Sequence, residues 1–419
     1  MKNTSRLSAG LCNASILLYV IWLLLPAVQT TGRSYTGALA VALFGAGVLL
    51  DWDTLSRSWP WLLARAACAA LIPLGLIVFL HRGGNAKAGF YVQQVMFWFP
   101  LVFAGYARQR GDRRLWRYLK WVLLGAVTLT TITTIGWLFE GMFLRGDRVY
   151  AYSRSLGFGG EGREAYLKEL MLRNIGGYDF VYATVVMLPF TCMGVSRHSG
   201  RQRWAYLALL SAQTVMIVMS QYTYAMLYAA ALLAVELIAL IIRKCTRINL
   251  GASLLWGCVP LAVLALLLQP LAALAMNLCT SLGLANFARS FELLLTALQG
   301  GELAADSRLG YYLTALEGFL RSPVIGSLSG SEAMLSLHSE VLDLLSGTGL
   351  IGMAVFGCMV WLMGRGTLAG LRRHPERARL AMMAAALFVT ALLGTVFYSR
   401  DVMAVAALGT LLVLEGEKA

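Results

Sequence analysis

The sequence has little charge for its length. Only 13% of its 419 residues are Asp, Glu, Lys or Arg, whereas 58% are hydrophobic, and the mean hydropathy is +0.68. Because an ordinary soluble domain is about 25% charged, this chain lacks the polar side chains needed to cover its surface in water. The composition therefore excludes a set of soluble domains and predicts an integral membrane protein.

Paired cysteines are also missing. The seven cysteines form no Cys-x-x-Cys pair; Cys279 stands alone at a loop start, and the others lie in or beside apolar stretches, namely Cys12, Cys68, Cys192, Cys245, Cys258 and Cys358. This pattern excludes a disulfide framework and a Cys-based metal cluster. Each cysteine is therefore predicted to be a small buried hydrophobic residue.

The apolar runs predict about twelve transmembrane helices, since each span needs about 20 residues. They cover residues 9–29, 35–50, 59–80, 89–106, 116–139, 177–195, 203–221, 223–242, 252–277, 340–364, 379–396 and 398–414. The first run is longer than a signal-peptide core and no cleavage site follows it, so we predict an uncleaved span. We expect an all-α polytopic membrane protein, one membrane domain over residues 1–419, with long helical outer loops at residues 140–176 and 278–338.

Short basic loops indicate the orientation. If the N-terminus lies in the cytoplasm, every short basic cluster falls on the cytoplasmic side, as the positive-inside rule requires, and the C-terminus is cytoplasmic too. The net charge of +14 then reflects topology in large part and does not indicate a nucleic-acid partner. Membrane lipids are the partners that this arrangement implies.

Arginine is nevertheless frequent on the predicted outer side, where a plain loop would contain little of it. The candidates for anion binding are Arg154, Arg163, Arg173, Arg308 and Arg400. Arg163 and Arg173 border an amphipathic pattern and are equally compatible with a solvated helix face. Arg400 adjoins Asp401 within the apolar boundary, where ionisable residues are mostly paired or functional, and the two are equally compatible with simply pairing with each other.

A second amphipathic helix is predicted over residues 308–320, where apolar side chains recur at helical spacing. Asp306 and Ser307 supply N-cap chemistry, and Pro323 ends the segment. Arg308 stands at the start of this helix, where a cation opposes the helix dipole. That electrostatic conflict favours a functional role for Arg308.

His338 is the best-placed candidate for acid–base chemistry, because it ends the second outer loop directly before an apolar run. The partial positive charge of a helix N-terminus disfavours imidazolium, and a neutral histidine can act as a general base near pH 7. Glu340 would act in the opposite sense if it were close. The alternative is a structural histidine at the membrane boundary.

Four features around His338 occur in a fixed order: Arg308, then Pro323-Val324-Ile325-Gly326, then His338, then Gly349-Leu350-Ile351-Gly352. This order, over roughly residues 300–355, resembles the O-antigen ligase and polymerase superfamily of bacterial inner-membrane glycosyltransferases. Two positions depart from the family pattern. Ser339 stands where the family commonly has Asn, and Ser220-Gln221 stands where many members have Ser-Arg, so that arginine's role would pass to Arg154, Arg173 or Arg400.

The resemblance implies transfer of a glycan from undecaprenyl diphosphate to a sugar hydroxyl of lipid A-core at the periplasmic face of the inner membrane. His338 would be the base, and the arginines would stabilise the leaving diphosphate. The predicted outer loops contain neither an Asp-x-Asp motif nor a metal-ligand cluster, so we expect metal-independent, inverting transfer with no cofactor. A polymerase or O-oligosaccharyltransferase using the same donor is the alternative. A lipid-linked glycan flippase is disfavoured, because transport needs no outer-loop chemistry.

Overall fold

Helices form the regular structure throughout the described part of the chain. The computed structural model describes residues 2–50, 59–80, 88–144, 163–222, 308–327 and 338–371, residues 335 and 336, and shorter stretches within 225–234, 269–296 and 383–414. These residues include no β-strand. The all-α prediction is therefore confirmed for them.

Eleven labelled helices define the architecture of the described residues. They are α1 (Lys2–Leu24), α2 (Pro26–Leu50), α3 (Trp59–Leu80), α4 (Ala88–Arg110), α5 (Arg113–Phe139), α6 (Arg163–Leu172), α7 (Tyr178–Arg197), α8 (Gly200–Ser220), α9 (Arg308–Arg321), α10 (Glu340–Leu371) and α11 (Arg400–Leu414). A short π-helix, Glu140–Leu144, continues α5. A further short apolar helix spans Ala272–Ser281.

Five of the described helices are long and apolar enough to cross a membrane: Arg6–Leu24, Trp61–Phe79, Arg113–Phe139, Tyr178–Arg197 and Glu340–Met363. The number is six if Pro26–Gly32 and Tyr35–Leu50 form one bent span. They indicate a helical membrane protein, although they do not reach the predicted twelve spans. Helices α4, α8 and α11, which correspond to the predicted spans 89–106, 203–221 and 398–414, are not among them. The predicted spans 223–242, 252–277 and 379–396 lie wholly or partly outside the described residues.

One predicted helix boundary is wrong. The first span was predicted to run to residue 29, but α1 ends at Leu24 and α2 begins at Pro26. The predicted start of the second span, residue 35, coincides with the 89° bend between Pro26–Gly32 and Tyr35–Leu50. Proline lacks a backbone N–H and has a fixed φ, so it suits the first turn of a helix. Pro26 therefore starts the second helix within the apolar run, a position that hydrophobicity alone does not distinguish.

The core of the bundle surrounds α1 and α7. Most of α7 is buried, with fifteen consecutive residues from Phe180 to Gly194 inside, and α11 packs along it. Aromatic rings pack α1, α2 and α4 against one another. Tyr19 of α1 and Phe44 of α2 both make edge-on contacts with Phe103 of α4, at 5.0 and 4.9 Å between ring centroids. Such geometry stabilises aromatic pairs beyond their buried area.

Apolar side chains also cover the outside of the bundle. Helix α10 exposes large residues along its length, including Leu350, Val355 and Trp361. A surface of this kind is unfavourable in water and suits the hydrocarbon region of a membrane.

The cysteine prediction is confirmed for Cys12, Cys68 and Cys192, which are buried, and is wrong for the exposed Cys358. Cys279 is half-buried, whereas Cys245 and Cys258 lie outside the described residues.

A tight turn joins α4 to α5. Gly111 adopts a positive φ of 60°, as is typical just after a helix, and Asp112 then caps α5. Its carboxylate accepts hydrogen bonds from the backbone N–H groups of Arg114 (2.8 Å) and Leu115 (3.3 Å) and from Asn13 of α1 (2.7 Å). The cap therefore ties two helices together.

We expect Asp112→Ala to lower the free energy of unfolding by about 1–2 kcal/mol at neutral pH, as loss of an N-cap does. Burial alone would raise the pKa of Asp112, but the hydrogen bonds from Asn13, Arg114 and Leu115, with the Arg114 charge, lower it below its usual value. A lowered folded-state pKa gives stability that is present at neutral pH and is lost as acid protonates the folded protein. Thermal unfolding measured at pH 7 and under acid checks this, and Asp112→Ala should flatten the acid dependence. Equal stability of parent and variant at neutral pH would contradict it.

Candidate functional site

The chain enters α10 through a hydrogen-bonded serine turn. The hydroxyl of Ser336 accepts from the backbone N–H groups of His338 (3.1 Å) and Ser339 (2.9 Å). Ser339 is the N-cap of α10, because its hydroxyl accepts from the N–H of Leu342 (3.2 Å). This turn fixes His338 immediately before the helix start, as the sequence predicted.

The buried carboxylate of Asp343 binds this turn through two hydrogen bonds. Asp343 is fully buried, and its Oδ1 accepts from the backbone N–H (2.6 Å) and the hydroxyl (2.8 Å) of Ser336. Charge-assisted bonds of this kind are about twice as strong as neutral ones. Asp343 therefore anchors the segment that carries His338 from within a mostly apolar helix.

Helix α10 is broken six residues after Asp343, at Gly349, where φ is 61° and ψ is −165°. The backbone N–H groups after the break donate to the turn that follows α9: Leu350 to the carbonyl of Pro323 (2.9 Å) and Ile351 to that of Val324 (3.1 Å). A break in a helix normally leaves such groups unpaired, and here the turn supplies the missing acceptors. The two glycine-containing segments of the predicted motif therefore meet in space.

The contact between these segments is backbone to backbone. A side-chain carbon on Gly326 would lie 2.5 Å from the carbonyl carbon of Gly347, and one on Gly349 would lie 2.5 Å from the nitrogen of Gly326. Both glycines have positive φ. Glycine is needed at both positions for conformation and for close approach.

His338 is exposed, and its ring lies beside α9. The centroid of the Tyr311 ring is 5.0 Å from that of His338, with the planes tilted by 46°. Tyr311 stands three residues after Arg308, the first residue of α9, and positions three apart lie on one helix face. The start of α9 therefore lies next to His338, although the side chain of Arg308 is outside what the structure describes.

The start of α10 is also bound to the segment that leads into α11. The carboxylate of Glu340 accepts from the backbone N–H of Phe397 (2.7 Å), and the Glu340 N–H donates to the carbonyl of Gly394 (3.3 Å). Glu340 is thus directed at the backbone before α11.

A charged group begins α11 at this same end of the bundle. The Nε of Arg400 contacts Oδ1 of Asp401 at 3.2 Å, with 14% and 5% of the two side chains exposed. Asp179, in the first turn of α7, lies within electrostatic range of both. Next to Asp179, the hydroxyls of Tyr178 and Tyr182 are 2.8 Å apart. The end of the bundle near His338 therefore combines a cation, two acids and aromatic rings.

No protein-family model, curated protein or solved structure matches this chain.

The remaining predicted arginines are not brought to His338 by the described contacts. Arg173 forms an exposed ion pair with Glu169 at 2.7 Å, and such surface pairs contribute little to stability. Arg163 is the first residue of α6, but its side chain is outside the described part. Arg154 lies outside the described residues altogether. Helix α6 itself packs through Leu170 onto Trp137 and Leu138.

Metal-ligand geometry is not present in the described residues, which contain no group of three or more His, Cys, Asp or Glu side chains able to hold a metal ion. Two residues that hold the turn, Ser336 and Asp343, were not among the predicted site residues. Ser336 and Ser339 stand three apart before an apolar run, a spacing typical of serine caps. Together with the acid at position 343, that spacing is the signal that could have identified them.

We expect Asp343→Ala to lower the free energy of unfolding by about 2 kcal/mol, because it leaves the buried Ser336 donors without their charged acceptor. The freed turn should also become more mobile around His338. Thermal unfolding measures the first effect, and amide hydrogen exchange of residues 335–342 measures the second. Glu317→Ala, at an exposed surface pair on α9, is the matched control. Unchanged exchange in the turn would show that Asp343 does not anchor it.

Proposed function

We propose that this chain is a membrane glycosyltransferase of the O-antigen ligase type. It transfers O-antigen glycan from undecaprenyl diphosphate to a sugar hydroxyl of lipid A-core. The observation that carries the proposal is the meeting of the predicted motif parts: the turn Pro323–Gly326 seats on the Gly349 break, with His338 exposed at the end of α10 beside α9. Arg308 begins that neighbouring helix.

His338 serves as the general base. A sugar hydroxyl is a poor nucleophile, so removal of its proton as it attacks the anomeric carbon assists the reaction. The hydroxyl oxygen forms the new glycosidic bond while the bond to the diphosphate oxygen breaks, and the electron pair leaves with the diphosphate. A single displacement of this kind inverts the anomeric centre. The exposed ring of His338 is accessible to an acceptor.

Arginines rather than a metal stabilise the diphosphate. Charge-assisted contacts from a guanidinium to phosphate stabilise by about 1.5–3 kcal/mol each, so two or three suffice to hold the leaving group. Arg308 and Arg400 are the favoured residues, because the contacts of Tyr311 and of Glu340 place their helix starts around the N-terminus of α10. Arg154, Arg163 and Arg173 are further candidates on the first outer loop.

The proposal includes a topology and a location. We place the chain in the bacterial inner membrane with about twelve spans, both termini in the cytoplasm and the His338 end in the periplasm. The basic turn at Arg108, Arg110, Arg113 and Arg114 then faces the cytoplasm, in agreement with the positive-inside rule. Cysteine labelling of single-cysteine variants at residues 111 and 338 from either side of intact cells tests the orientation.

The activity is tested with the purified full chain in liposomes that contain undecaprenyl diphosphate-linked glycan and lipid A-core, with EDTA present. Transfer to lipid A-core, seen as a mobility shift on a gel, supports the proposal. Growth of glycan on its own carrier would instead identify a polymerase, and transfer to a protein acceptor an O-oligosaccharyltransferase. Movement of the donor across the bilayer without transfer to any acceptor would overturn the enzyme assignment in favour of a flippase.

A further inference from the structure

Arg65 is a buried cation within the transmembrane segment of α3. Only 6% of the residue is exposed, and it lies inside the apolar span Trp61–Phe79. Its guanidinium rests on Gly105 of α4, where any side-chain carbon would overlap Nη1 of Arg65. The glycine therefore makes the room in which this cation sits.

Charge compensation for Arg65 is lacking in the described residues. Its Nε is buried without a hydrogen-bond partner among them. Among the described residues, Arg108, one turn beyond Gly105, acts on it electrostatically, and this interaction is repulsive. Burying an unpaired cation such as Arg65 is costly in a medium of low dielectric constant, and natural membrane proteins pair such groups. The arrangement therefore calls for an anion.

Phosphate is the anion that fits these groups best. A guanidinium presents its donors in a planar fork that matches two phosphate oxygens. The site lies near the end of the bundle that carries the basic α4–α5 turn, and α3 exposes Trp61 and Leu63 beside it. Exposed apolar residues next to a buried cation suit a lipid whose headgroup reaches the cation while its chains cover the helix.

We propose that Arg65, Gly105 and Arg108 form a binding site for a phosphate-bearing anion, occupied by the headgroup of an anionic phospholipid. The site is separate from the His338 site, because Gly105 lies roughly 10 Å further along α4 than Trp98, whose indole N–H donates to the carbonyl of Phe397 (3.1 Å). The inference does not depend on the proposed transferase activity.

Native mass spectrometry of the full chain with equimolar phosphatidylglycerol and phosphatidylcholine tests the site. We expect the parent to retain phosphatidylglycerol preferentially, and Arg65→Gln to lose about tenfold or more of that preference, as removal of a charge-assisted contact implies. Arg65→Lys keeps the charge but not the planar guanidinium, and its preference for phosphatidylglycerol should lie between those of the parent and Arg65→Gln. Arg203→Gln, at an exposed arginine of α8, is the control and should behave as the parent does.

Added inorganic phosphate distinguishes the two sources of the phosphate group. Retention of the lipid in its presence supports the headgroup as occupant. Displacement of the lipid by phosphate supports the phosphate site and shows that a soluble phosphate compound also occupies it. Equal retention of the two lipids by the parent would overturn the proposal, and this comparison remains decisive even if Arg65→Gln does not fold. Unchanged preference in a folded Arg65→Gln would overturn it as well.

Discussion

Replacing His338 by alanine is expected to reduce the rate of glycan transfer by a factor of about 10²–10⁴, the usual contribution of a general base. Its ring is exposed and contacts Tyr311, whereas the turn that carries it is held by the backbone and by Asp343. Removal of the imidazole should therefore leave the fold intact. Initial rates in the liposome assay, with thermal unfolding in parallel, measure both quantities.

The matched control is His198→Ala, at the opposite end of the helix that begins with Tyr178. His198 stacks on Tyr206 at 5.0 Å, so its loss should affect stability slightly and transfer not at all. Added imidazole should partly restore activity to His338→Ala, because a soluble base can enter the space that the ring left. Full activity of a folded His338→Ala protein would remove this residue from the chemistry while leaving the transferase assignment open to other bases.

Local sequence patterns predicted the helices near the site well. The amphipathic pattern over residues 308–320 corresponds to α9, Arg308–Arg321, and the pattern over 163–173 corresponds to α6, Arg163–Leu172. Helix α9 has an arginine at each end and an apolar face, so periodicity and end signals agree there. Helix α6 is only weakly amphipathic and packs through Tyr166, Leu167 and Leu170. The predicted order of motif parts also corresponds to a real contact, between the turn at Gly326 and the break at Gly349.

The polar contacts inside the bundle could not be predicted in the same way. Asp343 bonds to Ser336 seven residues away, and Glu340 bonds to Phe397, which is 57 residues away. Periodicity describes which face of a helix is apolar, but it contains no information on which backbone group a buried carboxylate will meet. Arg65 shows the same limit, because its contact with Gly105 depends on how two apolar helices pack.

Replacing Gly349 by alanine is expected to lower the free energy of unfolding by about 2–6 kcal/mol. Two costs contribute. The backbone at φ 61° and ψ −165° is accessible essentially to glycine alone, and holding another residue there costs about 1–3 kcal/mol. The added carbon would also collide with the backbone of Val324 and Gly326, and overpacking of this kind typically costs a further 1–3 kcal/mol.

Gly357→Ala supplies the control within the same helix. A carbon added at Gly357 meets nothing within 4 Å, and alanine in a helix interior is favoured over glycine by about 0.5–1 kcal/mol, so this variant should be slightly more stable. Thermal unfolding of both variants separates the effect of the break from that of lost helix flexibility. If Gly349→Ala unfolds like the parent, the turn at Pro323–Gly326 is not seated on α10 as described. The placement of α9 beside His338 would then be contradicted as well, because the hydrogen bonds between this turn and the Gly349 break hold the end of α9 against α10.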